Sequence, residues 1–333
     1  MIAGDILAAW LRDRESQGRS RASVQAFVDE WSGFPLMGEL ERDLTYMEER
    51  TPQAVIAAAR RFFDRAGDLS ALLGALIAKC REDPFFIPPF HPLNSEIHSG
   101  LLLYNHAELS IGFGVTGVDV LAAKKAGRRG PASIGFTGVW NLFRYVKAGN
   151  AMVSFWEGTP IGPGFNTAEA GQCRCVGRRR IADGEDILID GSHESFIVDH
   201  ADGDILYLQA MVRTGAAPLT TEYDSQTRSF IGATSTDEAS SRVQMMATLL
   251  REMDRADAVP ILRESLASPH FYTRWHLMRE LLALDAEAAL PDLRLMAQED
   301  PHPEVRTAAR QTLDMFFTEE ADPIIQGDET CPA

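Results

Sequence analysis

Histidines with carboxylates close by give this chain its clearest potential for chemistry. His98, His106 and His193 lie in the central part of the sequence, with Glu108 and Glu194 next to two of them. A ferrous or manganous ion needs three or four converging nitrogen and oxygen ligands. If the fold brings these side chains together, they would hold a divalent Fe or Mn ion, and the protein would be a metal-dependent enzyme such as an oxygenase or isomerase.

Strand geometry limits which histidines can share an ion. His193 and His200 flank one predicted strand, and seven residues at about 3.3 Å each would separate them by roughly 20 Å. The alternative interpretation of each histidine is a surface residue or a hydrogen-bonded structural one.

A second candidate site is a small-molecule pocket. Trp140, Arg144 and Trp156 could line the mouth of a β-sandwich, with His193 contributing a polar group. The glycine-rich stretches "GFGVTGVDV" and "GPGF" lack the strand-then-helix context of a phosphate-binding loop, and we interpret them as turns and bulges in strands. The sequence contains no G-x-x-x-x-G-K-[ST], H-E-x-x-H or G-x-S-x-G motif.

The central region that must position these residues has the pattern of a β-domain. Between residues 84 and 235, short alternating runs such as "ESFIVDH" and "DILYLQAMV" are separated by glycine turns, including Asp190-Gly191 and Asp202-Gly203. Many short strands with frequent turns predict an antiparallel β-sandwich or barrel.

Helical patterns flank this region on both sides. In residues 1–83, Thr51-Pro52 supplies a cap and a first-turn proline ahead of "QAVIAAARRFFDRAG". The proline-rich run "EDPFFIPPFHP" places a boundary near Asp83. We therefore predict an α+β protein with an N-terminal helical region, a central β-domain, helical repeats over residues 236–318 and an acidic, mobile tail over 319–333.

An internal repeat defines the C-terminal helices. Arg242, Arg274 and Arg306 are spaced 32 residues apart, and Pro269-His270 recurs as Pro301-His302 at the same interval. Each unit is predicted to be two helices with a proline in the first turn of the second. Such short units stack into a helical solenoid.

These residues carry a family resemblance. "DPHPEVRTAARQTL" resembles the start of a HEAT-type repeat of the short bilin-lyase-like kind, in which an Asp-Pro-x-Pro turn precedes a Val-Arg-x-x-Ala helix. The resemblance covers residues 240–317. It implies a surface that holds a partner or packs against a neighbouring domain.

A second resemblance concerns residues 140–213. "DGEDILIDGSHESFIV" resembles the second motif of the cupin superfamily, with His193 near the usual ligand position, although the second turn has no proline and the histidine comes about two residues early. The His-x-His pair and Glu of the first cupin motif are missing, because "VSFWEGTPIGPGFNTAEAGQCRCVG" contains no histidine. The resemblance implies a cupin-like fold without the usual metal set.

Composition excludes several classes of partner. The formal net charge of −16 argues against nucleic acid and against an anionic membrane surface. No window approaches 18 continuous apolar residues. The cysteines form no C-x-x-C pair and no disulfide framework, so we expect reduced thiols in a cytoplasmic protein.

Three functions remain open at this point. The first is a non-enzymatic interaction or regulatory protein with a cupin-like domain and a HEAT-like surface. The second is the metal-dependent cupin-type enzyme using His98, His106 and His193. The third is a small-molecule sensor with its ligand in the β-sandwich. The partner would be another protein or a small molecule, and the oligomeric state is open.

Overall fold

The structure is a computed structural model that describes residues 4–32, 34–95, 97–127, 133–162 and 164–317. The predicted mobile tail, residues 319–333, lies outside the described residues. The chain divides into two compact units, the first ending at Thr236 and the second beginning at Asp237.

The first unit begins with helices. They are α1 (Gly4–Arg12), α2 (Arg14–Ser32), α3 (Pro35–Thr45), α4 (Pro52–Phe63) and α5 (Ala66–Glu82), and a further helix, α6 (Val118–Gly127), lies between strands. The Thr51 hydroxyl accepts a hydrogen bond from the Ala54 amide, and Pro52 occupies the first turn of α4. This is the cap that the sequence predicts.

The strands follow from residue 91 onward. They are β1 (His91–Asn94), β2 (His98–Asn105), β3 (Leu109–Thr116), β4 (Ser133–Phe136), β5 (Trp140–Lys147), β6 (Met152–Glu157), β7 (Arg174–Arg180), β8 (Asp186–Asp190), β9 (Glu194–His200), β10 (Ile205–Val212), β11 (Leu219–Asp224) and β12 (Phe230–Ser235).

Strand pairing shows a jelly roll. One antiparallel sheet has the order β1-β2-β3-β10-β5-β8, and two smaller sheets have the orders β7-β6-β9 and β12-β11-β4. Strand β4 also lies beside β9, where the Ser195 hydroxyl donates to the Gly135 carbonyl. The resulting rows β3-β10-β5-β8 and β4-β9-β6-β7 have the strand order of a double Greek-key jelly roll. The predicted α+β class with a central antiparallel sandwich is confirmed.

The six-stranded sheet has two different faces, because successive side chains of a strand point to opposite sides. Leu142 on β5 points toward the helices, whereas Phe143 points into the jelly roll. Helix α4 lies across β5 and β10. The residues that form one core between helices and sheet include Phe27, Leu40, Val55, Phe62, Phe63, Leu72, Leu109, Ile111, Leu142, Leu208, Ala210 and Val212.

The second unit consists of helices α7 (Glu238–Glu252), α8 (Val259–Ser265), α9 (Phe271–Leu284), α10 (Ala286–Glu299) and α11 (Pro303–Phe316). Pro260 lies in the first turn of α8, as predicted. The prediction is wrong for α10, because Asp285 accepts a hydrogen bond from the Ala288 amide and starts the helix early. Pro291 therefore lies inside α10, where it removes one helical hydrogen bond.

Hydrogen bonds explain the 32-residue interval. The Arg274 Nη1 donates to the carbonyls of Ser268 and Pro269, both at 3.0 Å. The Arg306 Nη1 donates to the equivalent carbonyls of Asp300 and Pro301. Each arginine thus binds the turn that precedes its own helix. Arg242 instead pairs with Glu238 on its own helix.

The histidine of the second turn is a packing residue. His302 is 6% exposed, and its ring stacks on Phe271 with the centroids 3.8 Å apart. Its backbone amide donates to the Asp300 carboxylate. His302 therefore belongs to the interface between repeat units.

The helices and the cysteines were compared with the sequence predictions on membrane spans and disulfides. Within the described ranges, none of the helices combines the length and apolar character needed to cross a bilayer. Cys80, Cys173 and Cys175 are free thiols.

Removal of Arg274 is expected to destabilise the second unit. Its guanidinium holds the Asp300 carboxylate through two hydrogen bonds of 2.7 and 2.8 Å, and the two side chains are only 11% and 3% exposed. Arg274→Ala leaves a buried carboxylate without its cation, which costs about 3 kcal/mol. Differential scanning calorimetry of the whole chain should show a lower midpoint for one transition.

The matched control is Arg279→Ala on the same helix. Arg279 is exposed, so its removal should change stability by less than about 0.5 kcal/mol. Equal effects of the two substitutions would contradict the role given to the Arg274–Asp300 pair.

Candidate functional site: an aromatic cavity in the jelly roll

A cavity of about 900 Å³ lies in the first unit. Its walls come from the inward-pointing residues of β2, β3, β5 and β10 on one side and from β6 and β9 on the other. The side chains that line it include His98, Thr116, Phe143, Tyr145, Trp156, Phe196, Val198, Ile205, Tyr207 and Gln209. This volume falls in the range of pockets for small organic molecules.

Aromatic rings brace one another along the wall. The Phe143 ring meets Phe196 edge-on at 5.1 Å between centroids, and it meets Tyr207 edge-on at 5.8 Å. Tyr145 lies 6.3 Å from Tyr207. Edge-to-face contacts of this kind are favourable beyond the burial of area, so the rings form a firm apolar surface.

A cluster of neutral polar groups interrupts the apolar wall at one place. The Nδ1 atom of His98 lies 2.7 Å from the Thr116 hydroxyl and 3.3 Å from the Tyr207 hydroxyl. Strands β2 and β3 place His98 directly opposite Thr116, and β10 places Tyr207 opposite Gly114. We call His98, Thr116 and Tyr207 the polar cluster.

Burial controls the charge of these groups. Burial, with a smaller contribution from Lys124, lowers the pKa of His98 below its ordinary 6.5. Burial also raises the pKa of Tyr207 and Tyr145 above the ordinary 10.0. At neutral pH the imidazole and both phenols are therefore uncharged.

Another hydrogen-bond chain fixes the β6–β9 side. The Trp156 indole donates to the Ser154 hydroxyl at 3.1 Å, and Ser154 donates to the Asp199 carboxylate at 3.1 Å. Arg178 donates to the other oxygen of Asp199 at 2.7 Å. The indole of Trp156 is thereby held in place at the cavity.

Two glycines of the stretch "GFGV" lie within a strand. Gly112 and Gly114 face the cavity from the middle of β3, and Gly112 pairs with Leu102 next to a bulge in β2. A Cβ atom on Gly114 would lie 2.5 Å from Cζ of Tyr207. Close approach of another group is a common reason for a glycine inside a strand.

The predicted metal ligands are separated by the fold. His98 lies in the cavity, whereas His106 follows the far end of β2, about 25 Å away along the strand. His193 lies in the turn between β8 and β9, with its Nδ1 3.1 Å from the Ser192 hydroxyl and 3.5 Å from Asp190.

The acidic candidates are engaged elsewhere. Glu108 pairs with Arg50, and Glu194 accepts a hydrogen bond from the Asp190 amide. In the part of the chain that the structure describes, no three His, Cys, Asp or Glu side chains are grouped so that they could hold a metal ion. The described residues do not fit the predicted Fe or Mn ion.

The fold does not bring the predicted ligand-binding residues together. Trp156 lines the cavity, but Trp140 and Arg144 point toward the helices. The Arg144 guanidinium donates to Asp186 at 2.6 and 2.9 Å and to Asp64 at 2.7 Å. Arg144 therefore joins the sheet to α4, and the remaining candidate, His193, lies in its own turn.

Sequence reasoning missed the residues that form most of the site. Thr116, Gln209, Phe143, Tyr145 and Tyr207 are not among the site residues that the sequence predicts. The available signal was the alternation along "WNLFRYVK", which puts Phe143 and Tyr145 on the face opposite Trp140 and Arg144.

Comparison with known proteins identifies the repeats. A family model of HEAT repeats matches residues 232–314, which confirms the repeats predicted for 240–317. No curated protein matches the chain.

Several solved structures are similar to part of this chain. One is a sugar phosphate isomerase of the cupin superfamily from Silicibacter pomeroyi, at 12% identity, covering 42% of this chain and 78% of that chain with a TM-score of 0.23. Another is an uncharacterised Klebsiella pneumoniae protein with a double-stranded beta-helix domain, at 5% identity. That similarity covers 38% of this chain and 82% of that chain, with a TM-score of 0.23. At these TM-scores the fold assignment rests on the strand pairing described above.

The placement of Arg144 predicts a coupled effect on stability. Arg144→Ala should destabilise the first unit by about 2 kcal/mol, because Asp186 is only 17% exposed and loses its main cation. A double-mutant cycle with Asp186→Ala should show coupling between the two residues. Lys147→Ala, at an exposed position of the same strand, should have little effect, and strictly additive single effects would contradict the pairing.

The polar cluster predicts a pH dependence. Because the pKa of His98 is lowered by folding, the unfolded chain binds the proton more readily. The stabilising contribution is then present above about pH 6.5 and is lost as the pH falls through the folded-state pKa. Thermal midpoints measured from about pH 7 down to about pH 5 should fall less steeply in His98→Gln than in the unaltered protein. Parallel curves for the two proteins would refute this prediction.

Proposed function

We propose that the protein is a non-enzymatic small-molecule sensor, with the jelly-roll cavity as its ligand site and the HEAT-like repeats as a surface for a protein partner. The observation that carries the proposal is the cavity of about 900 Å³ with its mostly apolar and aromatic lining. Pockets for small molecules combine such linings with a few polar groups that fix orientation.

The composition of the lining favours binding over metal-dependent catalysis. Of the described residues that line the cavity, only His98 and Asp199 could offer an imidazole or a carboxylate, fewer than the three or four ligands that a ferrous or manganous ion needs. The metal-dependent enzyme therefore has no specific observation in its favour.

The repeats supply the second half of the proposal. Solenoids of helical repeats present extended surfaces that other proteins use. A chain that joins a ligand cavity to such a surface suits a regulator whose partner is a protein. The identity of that partner and a cytoplasmic location stay predictions.

Thermal-shift screening with a library of small organic molecules tests ligand binding. A ligand that binds only the native state at about 100 times its Kd stabilises the protein by about 2.7 kcal/mol. Hits should lose their effect in Val198→Trp, which places a large side chain at a half-buried, inward-facing position of the cavity.

The matched control is Val146→Trp. Val146 is 47% exposed on β5 and does not line the cavity, so hits should be kept in this variant. A library without hits, or hits that survive Val198→Trp unchanged, would overturn the proposed function.

A further inference from the structure

The cavity is built to take a flat apolar body. Phe143, Phe196 and Tyr207 meet edge-on, so their rings form a stiff wall that cannot collapse into the space in front of it. This leaves a space in which an aromatic or similarly flat molecule can lie against ring faces.

One place in this wall offers directional hydrogen bonding. In the described part of the chain, the hydrogen bonds of the His98 ring both use Nδ1, toward Thr116 and Tyr207. The Nε2 atom of the same ring is then the group left for a ligand. Whether Nε2 donates or accepts depends on which nitrogen carries the proton, and a hydroxyl group can pair with either form because it both donates and accepts.

Charge selects further among ligands. The polar cluster is neutral at neutral pH. Among the described residues that line the cavity, the charged ones are Lys124, which is exposed, and Asp199, which is bound by Arg178. A neutral ligand avoids the loss of solvation that an ion would suffer against the aromatic wall.

Gly114 makes the polar cluster possible. The Tyr207 ring lies over the Gly114 backbone, and a Cβ atom there would come within 2.5 to 2.8 Å of three atoms of the Tyr207 side chain. Any larger residue must move the ring, and with it the hydroxyl that lies beside His98. Gly114 is therefore a positioning residue for Tyr207, and through Tyr207 for His98.

We infer that the ligand is a neutral molecule with a flat apolar body and a hydroxyl group, that His98 binds this hydroxyl, and that Gly114 and Tyr207 hold the imidazole in position. This inference rests on the proposed function, since it names the ligand class of the same cavity.

Three matched probes test the inference with the whole chain. They are 2-naphthol, 2-methylnaphthalene and 2-naphthoate, which share the ring system and differ in carrying a hydroxyl, a methyl or an anionic group. Affinities are measured by ligand-observed NMR at neutral pH. We expect 2-naphthol to bind roughly five- to tenfold more tightly than 2-methylnaphthalene, the effect of one hydrogen bond, and 2-naphthoate to bind most weakly.

Variants then assign the preference to residues. His98→Leu should abolish the hydroxyl preference while 2-methylnaphthalene still binds. Tyr207→Phe and Gly114→Ala should reduce the preference, and Tyr207→Phe keeps the result interpretable if Gly114→Ala fails to fold. The control is Gly135→Ala, because a Cβ at Gly135 meets open space. It should leave the preference unchanged.

The outcomes separate the inference from the function on which it rests. Equal binding of 2-naphthol and 2-methylnaphthalene, tightest binding of 2-naphthoate, or an unchanged preference in His98→Leu would overturn the ligand class. If the library yields cavity ligands but none of the three probes binds, the ligand class is again wrong while the sensor function stands. If neither the library molecules nor the three probes bind, the ligand class and the sensor function are both wrong.

Discussion

The two-sided character of the six-stranded sheet is the constraint on which the first unit depends. Alternate residues of each strand meet the helices, and burial of each large apolar side chain in that layer contributes about 1.5–3 kcal/mol. Leu109, Ile111, Leu142 and Phe63 are all fully buried there. Because the helix-facing layer holds the sheet, the opposite face need not be filled in order to keep the fold. The cavity is thus a consequence of where the main core lies, and the same alternation that puts Leu142 in that core puts Phe143 in the cavity.

An open interior still has to resist collapse, and two features of the lining provide that resistance. The rings of Phe143, Phe196 and Tyr207 are held by edge-on contacts, and Trp156 is tied through Ser154 to Asp199. Glycine inside a strand lowers strand stability, so Gly112 and Gly114 are local weaknesses. The neighbouring layer compensates for them, since Ile111 next to them is fully buried against the helices.

The sequence predicts those parts of the structure that depend on local pattern. The repeat is visible because Arg274 and Arg306 each bind the turn just before their own helix, which is a contact over a few residues. The faces of side chains are harder to predict, because they depend on register. A bulge between Leu102 and Tyr104 in β2 changes the side on which later residues lie, and no local signal marks it. The role of Gly114 is hidden for a similar reason, because a glycine that makes room for Tyr207 looks in the sequence like a glycine in a turn.

Burial of the polar cluster costs free energy of solvation. Three polar groups in an apolar wall lose solvation, and they are tolerated because each hydrogen bond to His98 Nδ1 offsets part of that loss. Apolar residues of similar shape could fill the same positions without that loss, and the fold does not require the cluster because the main core lies on the other face of the sheet. Because the polar cluster costs free energy and is not needed for folding, its presence requires another explanation. Recognition of a ligand in the cavity supplies one, because a directional contact in an apolar pocket discriminates among molecules that fit equally well by shape.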